Sequence, residues 1–183
     1  MIAALHLRRE VGGAPIKAVR VRMNPYECGY AGMNATGAFS SISGTLMSIP
    51  FCIALTLVHG APDMKRMTTY DDPEVNALVD RITLSSDEIV PVLSAIIDVE
   101  TEDGRSLTRD QRMTAEDYSY DRGRVSELVR RIGKEENVPS RTFDLVEAFV
   151  DQLPAGEIGT VVTAFAMLNR RRADAQSVTA TCR

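Results

Sequence analysis

Apolar positions change period several times along the chain. Ile2, Leu5 and Val11 fall on a helical stripe running through Met1 to Val11 and stopping at Gly12-Gly13. Residues Ile16 to Met23 then alternate, with Val19, Val21 and Met23 on one side and Arg20 and Arg22 on the other, until Asn24-Pro25 ends the run. That is the pattern of a half-buried strand. Residues 24–45 hold Gly29, Gly32, Gly37 and Gly44 among Asn, Ser, Thr and Tyr with no sustained period, and read as one long loop. Ser48-Ile49-Pro50 places a capping hydroxyl before a first-turn proline, and Phe51, Ala54, Leu55 and Val58 continue at helical spacing to Gly60. So little of this helix is polar that it is expected to be covered on most sides.

A second capped helix opens at Asp72-Pro73-Glu74 and carries Val75, Leu78, Val79 and Ile82 on one stripe, with Leu84 to Asp87 closing it. Leu93, Ala95, Ile97 and Val99 alternate with more polar residues up to Asp103-Gly104, a strong hairpin signal, and Arg105 to Thr108 start back. An antiparallel pair joined by the strand at 16–23 is expected. From about 120 the period is helical: Val125, Leu128, Val129 and Ile132, then Phe143, Val146, Phe149 and Val150, then Ile158, Val161, Val162, Phe165 and Leu168. Residues 169–183 are polar, small and aperiodic, and read as a flexible tail. No internal repeat is present. The fold class expected is α+β, a small mostly antiparallel sheet with packed helices followed by three amphipathic helices.

Composition narrows the function classes. The 183 residues carry 25 acidic against 21 basic side chains, a net charge of -4, which is not the basic footprint of a nucleic-acid binder. Three cysteines without a CxxC pair and two histidines argue against a disulfide scaffold and a zinc module. The start of the chain is too charged for a signal peptide, with His6, Arg8, Arg9 and Glu10 close behind Met1. The apolar stretch from Leu46 to Val58 falls short of the roughly 20 residues needed to cross a bilayer. A cytoplasmic location with no membrane or nucleic-acid partner is therefore expected.

Individual residues offer little chemistry. His6 lies beside the first helix's stripe and His59 at a helix C-terminus, where an imidazolium suits the dipole. Cys52 falls inside an apolar helix, while Cys28 sits among the glycines with no neighbouring His or Lys to activate it. The glycines match neither GxGxxG nor GxxxxGK[ST]. What remains is the helix N-terminus at Ser48, preceded by the hydroxyls of Ser40, Ser41, Ser43 and Thr45, which could receive a carboxylate on free backbone N–H groups. Lys65 and Arg66 are near in the chain. The simpler alternative is that Ser48 caps its own helix.

Three motifs in order resemble a known family: Ser48-Ile49-Pro50-Phe51-Cys52-Ile53-Ala54-Leu55-Thr56-Leu57-Val58-His59-Gly60, then Asp72-Pro73-Glu74-Val75, then Asp103-Gly104-Arg105. Together they are similar to the C-terminal part of the MmgE/PrpD family, which includes 2-methylcitrate dehydratase, cis-aconitate decarboxylase and iminodisuccinate epimerase. The likeness runs from the first helix to about residue 168. It implies that residues 1–13 end a helix of a preceding helical domain, that 14–115 form an α+β lid, and that 120–168 are helices returning to the helical domain. It further implies a homodimer working without cofactor or metal on a small di- or tricarboxylic acid. Such enzymes take a proton from the carbon next to a carboxylate and expel water, carbon dioxide or nothing, with histidines, a lysine and a tyrosine as acid–base groups. The histidine-bearing domain would precede residue 1, so the chain is expected to be part of a longer enzyme, incomplete as a catalyst alone, and no catalytic residue is assigned in it. Phe51 stands where some decarboxylase-type members carry a tyrosine, so no phenolic acid is expected there. Only Ser48, with Thr45 and Met47 as neighbours, is carried over as substrate-binding. Two other readings stay open: a stand-alone anion-binding or interaction module, and a remnant with no function.

Overall fold

A computed structural model describes residues 1–168, which divide into two compact units, Met1–Ser119 and a second from Tyr120 onward. In chain order the first unit runs α1 (Ile2–Val11), β1 (Ile16–Met23), α2 (Pro25–Cys28), α3 (Ile42–Met47), α4 (Ile49–His59), α5 (Met64–Met67), α6 (Pro73–Val79), β2 (Ile82–Ser86), β3 (Ala95–Thr101) and β4 (Ser106–Gln111), then a 3-10 turn at Ala115–Tyr118.

The strand order is β2-β1-β3-β4, with β1–β3 and β3–β4 antiparallel and β1–β2 parallel. The unit is thus α+β with a mostly antiparallel sheet. Alternation in β1 does what the sequence pattern implies. Val19 opposes Val99 and Val21 opposes Ile97, all four buried in the core. On the other face Arg20 opposes Asp98, and Arg22 bridges Asp98 at 3.2 Å and Asp87 at 3.4 Å. Period-2 geometry sends charge outward and apolar bulk inward from one strand.

The hairpin at Asp103-Gly104 forms, and Gly104 takes φ 85°, open to glycine without a Cβ penalty. The next residue links hairpin and helix. Arg105 is held by Asp103 at 3.0 Å and donates to the carbonyls of Glu10 at 3.3 Å and Val11 at 3.1 Å, satisfying the open end of α1.

Helix α1 buries Ala3, Ala4, Leu7 and Val11, whereas Ile2 is 47% exposed, so the expected Ile2–Leu5 stripe is not the inner face. Small alanines let α1 lie close over β3, β4 and α4. Gly12 ends the helix in the left-handed region at φ 63°. In α4 every residue from Pro50 to Leu57 is buried, as its all-round apolar sequence requires.

Two further expectations are corrected. Residues 24–45 are not one loop: Asn24 caps α2 by accepting from Tyr26 N at 3.0 Å, and Ser41 caps α3, leaving only the middle irregular. Asn, Pro and Ser are as much cap residues as loop residues. Ile82 does not continue the α6 stripe, because the helix ends at Val79 and Ile82 opens β2. Val19 N donates to Arg81 O at 2.9 Å, and the Arg81 side chain donates to Ile16 O at 2.7 Å. The unpaired edge of β1 thereby captures the segment as a parallel strand, a long-range effect that outweighs local period.

The second unit holds α7 (Arg122–Glu135), α8 (Ser140–Asp151) and a further helix, α9, over 158–168. Asp121 caps α7 by accepting from Arg124 N at 2.7 Å. Phe143 of α8 fits against Gly133 of α7, where a Cβ would stand 2.1 Å from the ring. Arg130 pairs with Glu147 at 2.7 Å and Asp144 at 2.8 Å, and its guanidinium lies 5.7 Å from the Phe143 ring centre. Val125, Val129, Ile132, Ile158, Val162 and Phe165 are exposed. The expected tail at 169–183 lies outside the described residues.

Candidate functional site

The segment carried over as substrate-binding is the junction of α3 and α4. Ser48 belongs to both helices, as the last boundary residue of α3 and the N-cap of α4. Its side chain is fully buried and makes two hydrogen bonds, accepting from Phe51 N at 3.0 Å and donating to Ala35 O at 2.5 Å. Thr45, also fully buried, donates toward Ile42 O at 3.0 Å and Met67 O at 2.8 Å. Ser48 thus ties the glycine-rich segment to α4, and Thr45 ties α3 to α5. Met47 lies between them in sequence but points outward, 42% exposed, with Leu46 exposed beside it.

The N-terminal turn of α4 has its amides engaged within the chain. Ile49 N donates to Met33 O at 2.9 Å, Pro50 has no N–H, Phe51 N reaches Ser48 Oγ, and Cys52 N reaches Ser48 O at 3.0 Å. The positive end of the dipole is therefore closed by the protein's own oxygens. Ser41 Oγ accepts from Gly44 N at 3.3 Å, while Ser40 and Ser43 are exposed. Sequence proximity put five hydroxyls in one candidate cluster; the fold sorts them into cap, tie and open surface. Phe51 is fully buried and meets Phe39 edge to face, ring centres 5.0 Å apart.

Neither described cysteine is activated. Burial pushes the Cys28 thiol up from its ordinary value, with the Glu27 carboxylate adding to it, and burial likewise raises Cys52. Cys28 Sγ leans on Met23 O and Ser85 O, which makes it part of the α2–sheet contact. Among the described residues no three His, Cys, Asp or Glu side chains gather as a metal-holding group.

One pairing escaped the sequence reading. His59 Nε2 meets Asp72 Oδ2 at 2.7 Å, both side chains part-buried. Asp72 also accepts from Glu74 N at 3.0 Å and Val75 N at 3.1 Å, so one carboxylate caps α6 and holds the last residue of α4. The hydrogen bond from His59 and then that from Val75 N hold its carboxyl below the usual range. Each residue was legible separately, His59 at a helix end and Asp72 at a cap, but no spacing rule joins positions 13 apart across a turn.

Residues 2–127 match the family described as the MmgE/PrpD C-terminal domain. No curated protein matches the chain. No helix among the described residues is long and apolar enough to cross a membrane.

Proposed function

The chain belongs to the MmgE/PrpD family, and on that premise we propose that its first unit is the lid of a cofactor-independent lyase or epimerase for a small di- or tricarboxylic acid. The family match over residues 2–127 is the observation that carries this reading. In it, the groups that move the proton belong to a helical domain that works with this one, and the lid encloses the substrate and excludes water. Met47 and its neighbours are the lid's contact with substrate. Ser48 and Thr45 act one step back, holding Met47 in place through their hydrogen bonds to Ala35, Phe51 and Met67. A homodimer belongs to the same reading, as the resemblance implies, and a cytoplasmic location is proposed with it.

The test is proton exchange at the carbon beside a carboxylate, followed by NMR in deuterated water with citrate-like acids. The full chain is assayed alone and with the helical domain of a family member added. Exchange is expected with the two together, with a raised KM for Met47→Ala. Absence of exchange for every acid tried, with both domains folded and associated, would remove the reading.

A further inference from the structure

A groove of about 660 Å³ opens at the other end of α4 from Ser48, between the α1–β1 turn, α4 and α6. At 1.5 Å per helical residue it lies about 15 Å from the candidate site. Its walls are apolar: Val11, Ala14 and Ile16 on one side, Leu57 and Val58 from α4, Ala77 and Leu78 from α6. Its polar side chains are three guanidiniums, Arg8, Arg9 and Arg81, against one carboxylate, Glu74. That is a local excess of positive charge on a chain whose net charge is -4.

The three arginines are not equivalent. Arg81 already serves the fold, bonded to Ile16 O at 2.7 Å with Glu102 at 3.8 Å. Among the described residues, Arg8 makes only a long bond to Val58 O at 3.4 Å, covering the negative end of α4, and Arg9 makes none. Neither Arg8 nor Arg9 has a carboxylate partner among the described residues. Both sit in the last turn of α1, where the dipole favours a cation. The dipole accounts for a positive charge there, but not for two unpaired guanidiniums edging an apolar groove.

We propose that this groove binds a carboxylate carried on an apolar body, the head on Arg8 and Arg9 and the hydrocarbon along Leu57, Val58, Ala77 and Leu78. The volume is in the range of small-molecule pockets, roughly 300–1,000 Å³, which favours a small amphiphilic anion over a peptide. A guanidinium suits a carboxylate, whose two oxygens accept in parallel from one planar fork, and a second cation at the rim adds attraction without having to share that contact. The apolar walls set this ligand apart from the polycarboxylic acids of the proposed reaction, and the site stands whether or not that reaction is correct.

The full chain is titrated by calorimetry with octanoate, with octanamide as neutral isostere, and with citrate. Octanoate is expected to bind saturably, and octanamide and citrate each about ten-fold more weakly or worse. Charge removal in the Arg8→Gln/Arg9→Gln pair should weaken octanoate about ten-fold and leave octanamide unchanged, in line with the usual worth of a charged hydrogen bond. Ala77→Phe, at an exposed helix position facing the groove, should remove binding of both. In the unaltered chain, octanoate should move the amide resonances of Gly12, Gly13 and Ala77, a readout that needs no variant to fold. Citrate binding as tightly as octanoate, affinity untouched by Ala77→Phe or by the arginine pair, or resonances that move only elsewhere would each overturn the proposal.

Discussion

Ser48→Ala removes two hydrogen bonds from one buried point. Phe51 N loses the oxygen that caps α4, a change worth about 1 kcal/mol in typical helices. Ala35 O loses its donor inside a half-buried segment, another ~1 kcal/mol. No cavity term is added, because alanine replaces serine with the loss of a single oxygen. The sum, about 2 kcal/mol, should lower the melting temperature of the first unit by roughly 6–10 °C. Ser40→Ala and Ser43→Ala remove hydroxyls that sit exposed on the same stretch, and should fall within about 0.5 kcal/mol of the unaltered chain. Urea and thermal unfolding followed by circular dichroism measure all three. The Phe51 amide should also exchange with solvent faster in Ser48→Ala than in either control. If Ser48→Ala unfolds at the same midpoint as Ser40→Ala, Ser48 does not hold the loop to α4, and the account of Met47 positioned through Ser48 fails with it.

The same chemical change should have opposite signs at two glycines. Gly133→Ala would drive a Cβ to 2.1 Å from the Phe143 ring, so overpacking of about 1–3 kcal/mol should exceed the ~1 kcal/mol helix-propensity gain; Gly159→Ala meets nothing within 4 Å and should stabilise α9, as hydrogen exchange on the two helices would show. A double variant with Phe143→Ala should erase most of the Gly133→Ala penalty. Asp72 titrates below the usual carboxylate range in the fold, so its contribution is fully present above its unfolded pKa near 3.9 and is lost as pH falls through the lower folded value; in Asp72→Asn the urea midpoint should fall less between about pH 5 and pH 2 than in the unaltered chain, and equal acid slopes would refute the assignment. Because burial raises its thiol, Cys52 should resist iodoacetamide at neutral pH until the chain unfolds, and alkylation of the native protein at the rate of a free thiol, read by mass spectrometry, would contradict this.

The resemblance was carried by elements whose causes are local. Ser48 before Ile49-Pro50, Asp72 before Pro73, and Asp103-Gly104 each work through bonds a few residues away: a cap oxygen to an amide two or three positions on, or a turn only glycine enters freely. Those features appear in the fold as the sequence implied. The outward Arg20 and inward Val19 and Val21 of β1 are equally local, since alternation is a property of extended backbone.

Tertiary structure decided what depended on distant partners. Ile82 joined a strand because β1 offered an unpaired edge 63 residues earlier at Val19, and Ala3 and Ala4 took the inner face of α1 because a close sheet rewards small side chains. His59 met Asp72, and Arg105 met the end of α1, through packing that no period records. The hydroxyls of Thr45 and Ser48 were visible as candidates, but whether each was free or occupied depended on Met67 O and Ala35 O arriving beside them. Hydrophobic period and capping chemistry are written in neighbouring residues and so can be read from the chain; a hydrogen-bond partner brought from far along the sequence exists only once the core has closed.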